Sequence, residues 1–355
     1  MGCKMRIGQL IHRIAKGFIL LLVLVPVALS VHAESGNDTL VYKAFRDTVK
    51  LQKAQLVILD SGDSLAYFKP KHFQFIRNAP LDIYLLGKTP FSKKNLPKVG
   101  AIMAGTGLLM LIDQPITNAA QQFGRYIHLD PDHKKTKSLV RIGGTTVLEV
   151  PASVSNAIYF FGEGWPSLLI SGGFYSFGIA NNDYRAMQTS AELTEMFLTM
   201  GITTQFLKRI TGRETAWVSM QEGGSGKPGG AWDFFPNPKL YQKQVSRYDA
   251  FPSGHLATAM ATITILSSNY PDNKYIKPVG YSMMGLLGYV MLNNGVHWAS
   301  DYPLAIAIGY TCGKIAVSHG RQVITKKLKE HGISSSLTPT YLGQGSLGLS
   351  YRWTF

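Results

Sequence analysis

The sequence predicts an all-α protein: a bundle of about six core helices with an irregular N-terminal arm and a short C-terminal β-hairpin. Three observations predict the helices. Four uncharged stretches, 99–112, 164–182, 278–292 and 302–313, each run 12 to 19 residues. Between them, 188–211 sets Ala191, Leu193, Met196, Phe197, Met200, Ile202 and Phe206 at amphipathic helical spacing. A further apolar run, Leu256 to Leu266, follows a Pro-Ser-Gly helix start. Composition agrees. Only 16% of the 355 residues are charged while 45% are hydrophobic, which excludes a disordered chain. The 36 Gly and 17 Pro exclude a collagen-like or low-complexity one.

Taken in order, residues 1–33 read as a secretory signal peptide. Lys4, Arg6, Arg13 and Lys16 precede the apolar run Phe18–Val25, and Val31-His32-Ala33 offers small residues for cleavage. An uncleaved membrane anchor is the alternative. The net charge is +15, of which this segment carries +4, leaving +11 on an exported chain. Such a balance suits anionic partners, phosphates or anionic lipid headgroups, rather than nucleic acid. Residues 34–98 show no sustained period and read as an irregular arm with a short helix or two. The helical domain spans 99–320. Its apolar stretches sit at or under the roughly 20 residues that a membrane span needs. Their Gly, Ser and Thr suit close helix packing in either solvent. The expected location is therefore a bacterial inner membrane with the site facing the periplasm, or the soluble periplasm.

Segment 221–250 reads as a flexible, Gly-rich lid. Its Gly226-Lys227 is followed by Pro228 where a phosphate-binding P-loop needs Ser or Thr, and no strand precedes it. Cys3 and Cys312 leave no intrachain disulfide after cleavage, so Cys312 is expected to be a small core residue. The tail 321–355 ends in Leu347–Phe355, alternating apolar and polar, a strand period read as half of a hairpin. A membrane barrel would need at least eight such strands.

Three segments carry chemistry. In Pro252-Ser253-Gly254-His255, Ser253 caps a helix whose free amides and positive dipole end attract an anion, with His255 in the first turn. His297 and Asp301 are four apart, so on a helix they share a face, and the carboxylate would orient the imidazole as nucleophile or base. Lys208 and Arg213 surround a glycine at the end of an apolar helix and supply cations. Each alone has a bland reading: a capped helix, a structural ion pair, a solvated helix end.

Together, in this order, they resemble the type 2 phosphatidic acid phosphatase family, which includes vanadium haloperoxidases and bacterial acid phosphatases. The family pattern is Lys-x6-Arg-Pro, Pro-Ser-Gly-His, then Ser-Arg-x5-His-x3-Asp, and the resemblance covers about residues 95–320. It implies a phosphatase acting on a phosphate monoester or pyrophosphate, with a lipid as the expected carrier. His297 would take the phosphoryl group as phosphohistidine, Asp301 orient it and His255 protonate the leaving oxygen. Lys208, Ser253 and Gly254 would hold the phosphate. Neither metal nor cofactor is implied. Two family arginines are missing: Thr215 and Met291 stand in their places, with Ala216 where the proline belongs. Arg213 is the expected substitute, provided Gly212 ends the helix and lets it swing inward, with Arg209 and Arg247 further candidates. The alternatives are a catalytically degenerate binder of anionic lipid on the same fold and, with two cations short for vanadate, a haloperoxidase.

Overall fold

A computed structural model describes residues 54–129, 136–142, 145–151, 154–324, 334–341 and 347–354. The expected signal at 1–33 and the arm before residue 54 lie outside the described residues.

The segment 54–98 is more ordered than its texture suggests. Strands β1 (Ala54–Ile58) and β2 (Ser64–Phe68) form an antiparallel hairpin, and β5 (Arg321–Ile324) joins the far edge of β2, pairing Leu65 with Val323. The central strand buries Leu65, Ala66 and Tyr67 in succession. A strand covered on both faces loses the alternation that reveals a half-buried one, so the sequence carried no period there. Helix α1 (Gln74–Lys88) follows.

The expected bundle is present and mostly helical. After α2 (Leu96–Met110) and α3 (Asp113–Tyr126) come a hairpin of β3 (Thr136–Ile142) with β4 (Thr145–Pro151) and the short α4 (Val154–Phe160). Then follow α5 (Gly164–Asn181) and the long α6 (Tyr184–Thr211). Asp183 starts α6 by accepting the Ala186 amide, a side-chain N-cap. Short α7 (Ala216–Ser219) and α8 (Pro238–Lys243) lead to α9 (Gly254–Asn269), α10 (Ile276–Asn293) and α11 (Tyr302–Gly320). Strands β6 (Ser334–Tyr341) and β7 (Leu347–Thr354) pair antiparallel as the C-terminal hairpin.

The main core is drawn chiefly from α6, α9, α10 and α11, with Leu193, Met196, Met260, Ile265, Leu287 and Cys312 inside it. Helices α9 and α11 touch backbone to backbone. A Cβ at Gly309 would fall 2.2 Å from the Ala257 carbonyl oxygen, and one at Gly313 would fall 2.9 Å from that of Ala261. The contacts advance together along both helices, so the pair is parallel and both N-termini lie at one end. Helix α6 runs the other way. Its Thr199 hydroxyl meets Cys312 Sγ at 3.2 Å, while Lys208 Nζ, nearer its C-terminus, lies beside Gly254 at the start of α9. Three helix ends therefore converge.

Among the described residues, no single helix is long and apolar enough to cross a membrane; α2 and α3, bent by 66°, meet that test only as a pair. Apolar side chains nonetheless face outward on α2 (Met103, Leu108) and α5 (Trp165, Leu169, Phe177, Ile179).

Candidate active site

The convergence begins where α6 stops. Gly212 adopts φ +52° and its amide bonds the Lys208 carbonyl, a left-handed C-cap. A Cβ there would lie 1.9 Å from the Asp233 carbonyl oxygen, so the position demands glycine twice over. The chain then turns inward: the Arg213 carbonyl accepts from the Ala250 amide at 2.9 Å.

The start of α9 is capped as the sequence predicts, with the Ser253 hydroxyl accepting the Leu256 amide at 3.4 Å. The same hydroxyl contacts Met291 Sδ at 3.7 Å, so a thioether stands where the family pattern has an arginine. The Ser253 amide donates to the Asp301 carbonyl at 3.2 Å, tying the second motif to the third. The rings of His255 and His297 lie 5.8 Å apart, edge to face.

His297 and Asp301 do not share a helix face. Asp301 closes a 3₁₀ turn, Ala299–Asp301, and His297 precedes it. His297 Nδ1 lies 2.7 Å from the Ala250 carbonyl oxygen and 3.4 Å from Asp301 Oδ2. A carbonyl only accepts, so Nδ1 carries the proton and the Nε2 lone pair is left for chemistry. The backbone, not the carboxylate, makes the orienting hydrogen bond. Asp301 stands behind it as the counter-charge, its Oδ2 held by the Trp298 amide at 2.7 Å.

Arg213, the expected substitute, does swing inward, and its guanidinium turns to protein acceptors. Its Nη1 donates to Asp301 Oδ1 at 2.5 Å and to the Ser300 hydroxyl at 2.6 Å. Its Nη2 donates to Asp113 Oδ2 at 2.7 Å and to the Gly229 carbonyl, which Nε also bonds. A guanidinium has five N–H groups, and all five are spent on a buried lattice behind Asp301. Asp113, which no sequence motif marked, is fully buried and also accepts the Ser300 amide and hydroxyl. Burial pushes its carboxyl up against the pull of Arg213. Thr215, where the family pattern has an arginine, caps α7, accepting the Val218 amide. The Gly-rich segment expected to be a loose lid is pinned down. Its Gly229 carbonyl binds Arg213, and Ser225 and Ala231 donate to the Glu214 carboxylate.

Lys208 is nearly buried and donates to Asp249 Oδ2 at 2.7 Å, while the Tyr241 hydroxyl donates to Asp249 Oδ1 at 2.5 Å. The expected phosphate cation thus already holds an anion. His255 packs against Tyr159, ring centroids 4.4 Å apart. Lost solvation, then His297 and Lys208, hold the His255 pKa well below the usual histidine range, so the ring is neutral near pH 7. Asp249, Tyr159 and Asp113 are the site residues that sequence reasoning missed; none falls in a recognisable spacing.

A family model described as the PAP2 superfamily matches residues 190–322. A curated relative, named lipid A 1-phosphatase, from Porphyromonas gingivalis, is 32% identical over 68 residues, 19% of this chain and 15% of that protein. The chain thus spans far less than two thirds of that relative. No solved structure matches.

Proposed function

Residues 190–322 form a domain of the PAP2 superfamily, and from that premise we propose that this protein is a phosphatase removing a phosphoryl group from a lipid monoester or pyrophosphate through phosphohistidine. His297 Nε2 attacks phosphorus, and the bond to the leaving oxygen breaks with its electron pair. His255 supplies the proton to that oxygen. Water then attacks the P–N bond, His255 takes the water's proton, and phosphate departs as His297 recovers its lone pair. Positive charge on the phosphorylated imidazole is met by the Ala250 carbonyl and Asp301. Because His255 is neutral near pH 7, the ester enters as the monoanion and brings the proton, available near its second pKa of about 6. The first-turn amides of α9, with Lys208 beside them, receive the phosphate oxygens. Outward apolar side chains on α2 and α5 suit work at a bilayer, where the name of the curated relative also points.

The observation that carries this reading is the 5.8 Å pairing of an oriented imidazole with a second one on a helix N-terminus. The test is phosphate release by the full chain in detergent, from lipid phosphates and a chromogenic monoester. Release by wild type, lost by about 10³-fold or more in His297→Ala, is expected; no release, or equal release by both proteins, refutes it. A second reading, a binder of anionic lipid on a decayed site, is favoured by the spent guanidinium of Arg213 and the pairing of Lys208 with Asp249. Phosphate-ester binding without any turnover would select it. The same scarcity of cations argues against vanadate chemistry.

A further inference from the structure

A second cluster of ionisable groups lies far along the bundle from the histidine pair. Asp82 of α1, Glu195 of α6 and His319 of α11 bring one ligand atom each within 4.8 Å of one another. Glu195 and Lys208 share α6, 13 residues and so about 20 Å apart along its axis. Neither catalysis nor phosphate binding uses this cluster.

Its hydrogen bonding is incomplete. His319 Nε2 lies 2.7 Å from Asp82 Oδ1 and 3.8 Å from Glu195 Oε1. Glu195 Oε1 and Asp82 Oδ2 are buried and no donor group of the protein reaches them; burial and the neighbouring Asp82 carboxylate push the Glu195 carboxyl up to about 9, so the pair lacks either a shared proton or a cation. Gln188 Oε1 and Glu192 Oε1, next along α6, are equally unpartnered, and both lie against Gly320, the residue after His319. Native interiors leave few such oxygens, and an ion or water usually accounts for them. Among the described residues, His319 is the one basic side chain within 4 Å of either carboxylate. The Asn78 amide donates to Glu195 Oε2 at 2.7 Å, which turns Oε1 toward His319. An outer hydrogen bond that aims a carboxylate in this way is characteristic of metal ligands.

We propose that Asp82, Glu195 and His319 bind one divalent transition-metal ion, which clamps α1 to α6 and α11. Bonds of about 2.0–2.2 Å from carboxylate oxygen and imidazole nitrogen set neighbouring donors roughly 3–3.5 Å apart. The observed 2.7 and 3.8 Å bracket that separation. One nitrogen and two carboxylates fit Zn²⁺, Mn²⁺ or Fe²⁺ better than the all-oxygen preference of Ca²⁺ or Mg²⁺. The His319 side chain, 19% exposed, gives the ion a way in. The role is structural: the site ties the N-terminal α1 to the last helix of the bundle.

The test uses the full chain in detergent, stripped with chelator and then given Zn²⁺, Mn²⁺ or Co²⁺ alone. One ion per chain should survive gel filtration. Saturating metal should raise the melting temperature by about 5 °C or more. Bound Co²⁺ should show visible bands that change in His319→Gln. Glu195→Gln, close in shape, should weaken uptake at least tenfold and abolish the thermal shift. No retained metal in wild type, or equal uptake and equal thermal shift in wild type and Glu195→Gln, overturns the proposal. If Glu195→Gln does not fold, wild-type stoichiometry and the His319→Gln cobalt spectrum decide in the same sense.

Discussion

Replacing Gly309 by alanine should damage both stability and catalysis, although the site lies two turns away. The added methyl would sit 2.2 Å from the Ala257 carbonyl oxygen and 3.0 Å from the Ala257 Cα and carbonyl carbon. These are backbone atoms of α9, so no side chain can rotate aside. Relief requires α9 and α11 to separate by about 1 Å, the shortfall from ordinary contact. Overpacking of this kind costs about 1–3 kcal/mol, partly offset by the gain of about 0.5–1 kcal/mol that alanine brings to a helix. The net loss is then about 1–2 kcal/mol, a fall of roughly 1–3 °C in melting temperature for a chain of this size. Catalysis suffers more. Helix α9 carries His255 two residues before Ala257, and α11 follows directly on Asp301. A 1 Å misplacement of reacting groups costs on the order of 10²-fold in rate. The control is Gly285→Ala on α10, where a Cβ meets nothing within 4 Å. Thermal melting and kcat/KM for a chromogenic monoester read both effects. Gly309→Ala with unchanged melting and activity within twofold of wild type would refute the claim that this helix contact sets the site's geometry.

Other outcomes follow from the same contacts. Asp249→Asn frees Lys208 and should tighten inhibition by inorganic phosphate about two- to fivefold, the size of a partly exposed ion pair; weaker inhibition would mean that Asp249 positions Lys208 rather than competes for it. Arg213→Lys cannot span Asp113, Asp301 and Gly229, and should cost about 3–5 kcal/mol in denaturant unfolding by stranding buried carboxylates; a loss under 1 kcal/mol would contradict the lattice described. His255 has a folded pKa below its unfolded value near 6.5, so its contribution to stability is present above that pH and lost as pH falls beneath it. Unfolding midpoints at pH 7.5 and 5.5 should therefore differ more in wild type than in His255→Asn; equal differences would place the ring in water.

Legibility in the sequence tracked how local each feature was. Ser253, Gly254 and His255 are consecutive, and a cap followed by an apolar run fixes their geometry. The glycine that ends α6 was readable for the same reason. The partner of His297 was not, because a backbone carbonyl, that of Ala250, leaves no mark on residue identity. Asp301 lies on a 3₁₀ turn after an extended residue, not on the helix that its spacing from His297 suggested. The partners of Arg213 were not legible because they are distant: Asp113 lies 100 residues earlier, and Gly229 contributes only its carbonyl. Strand β2 was invisible because it is covered on both faces, and its closing partner β5 comes more than 250 residues later.

The central claim is that His297 becomes covalently phosphorylated, and rapid quenching of a turnover with ³²P-labelled substrate tests it most directly. Wild type should yield label that is stable to base, labile to acid, and located on the peptide containing His297, whereas His297→Ala should yield none. Continuing phosphate release with no labelled protein at any quench time, or label retained in His297→Ala, would contradict the account.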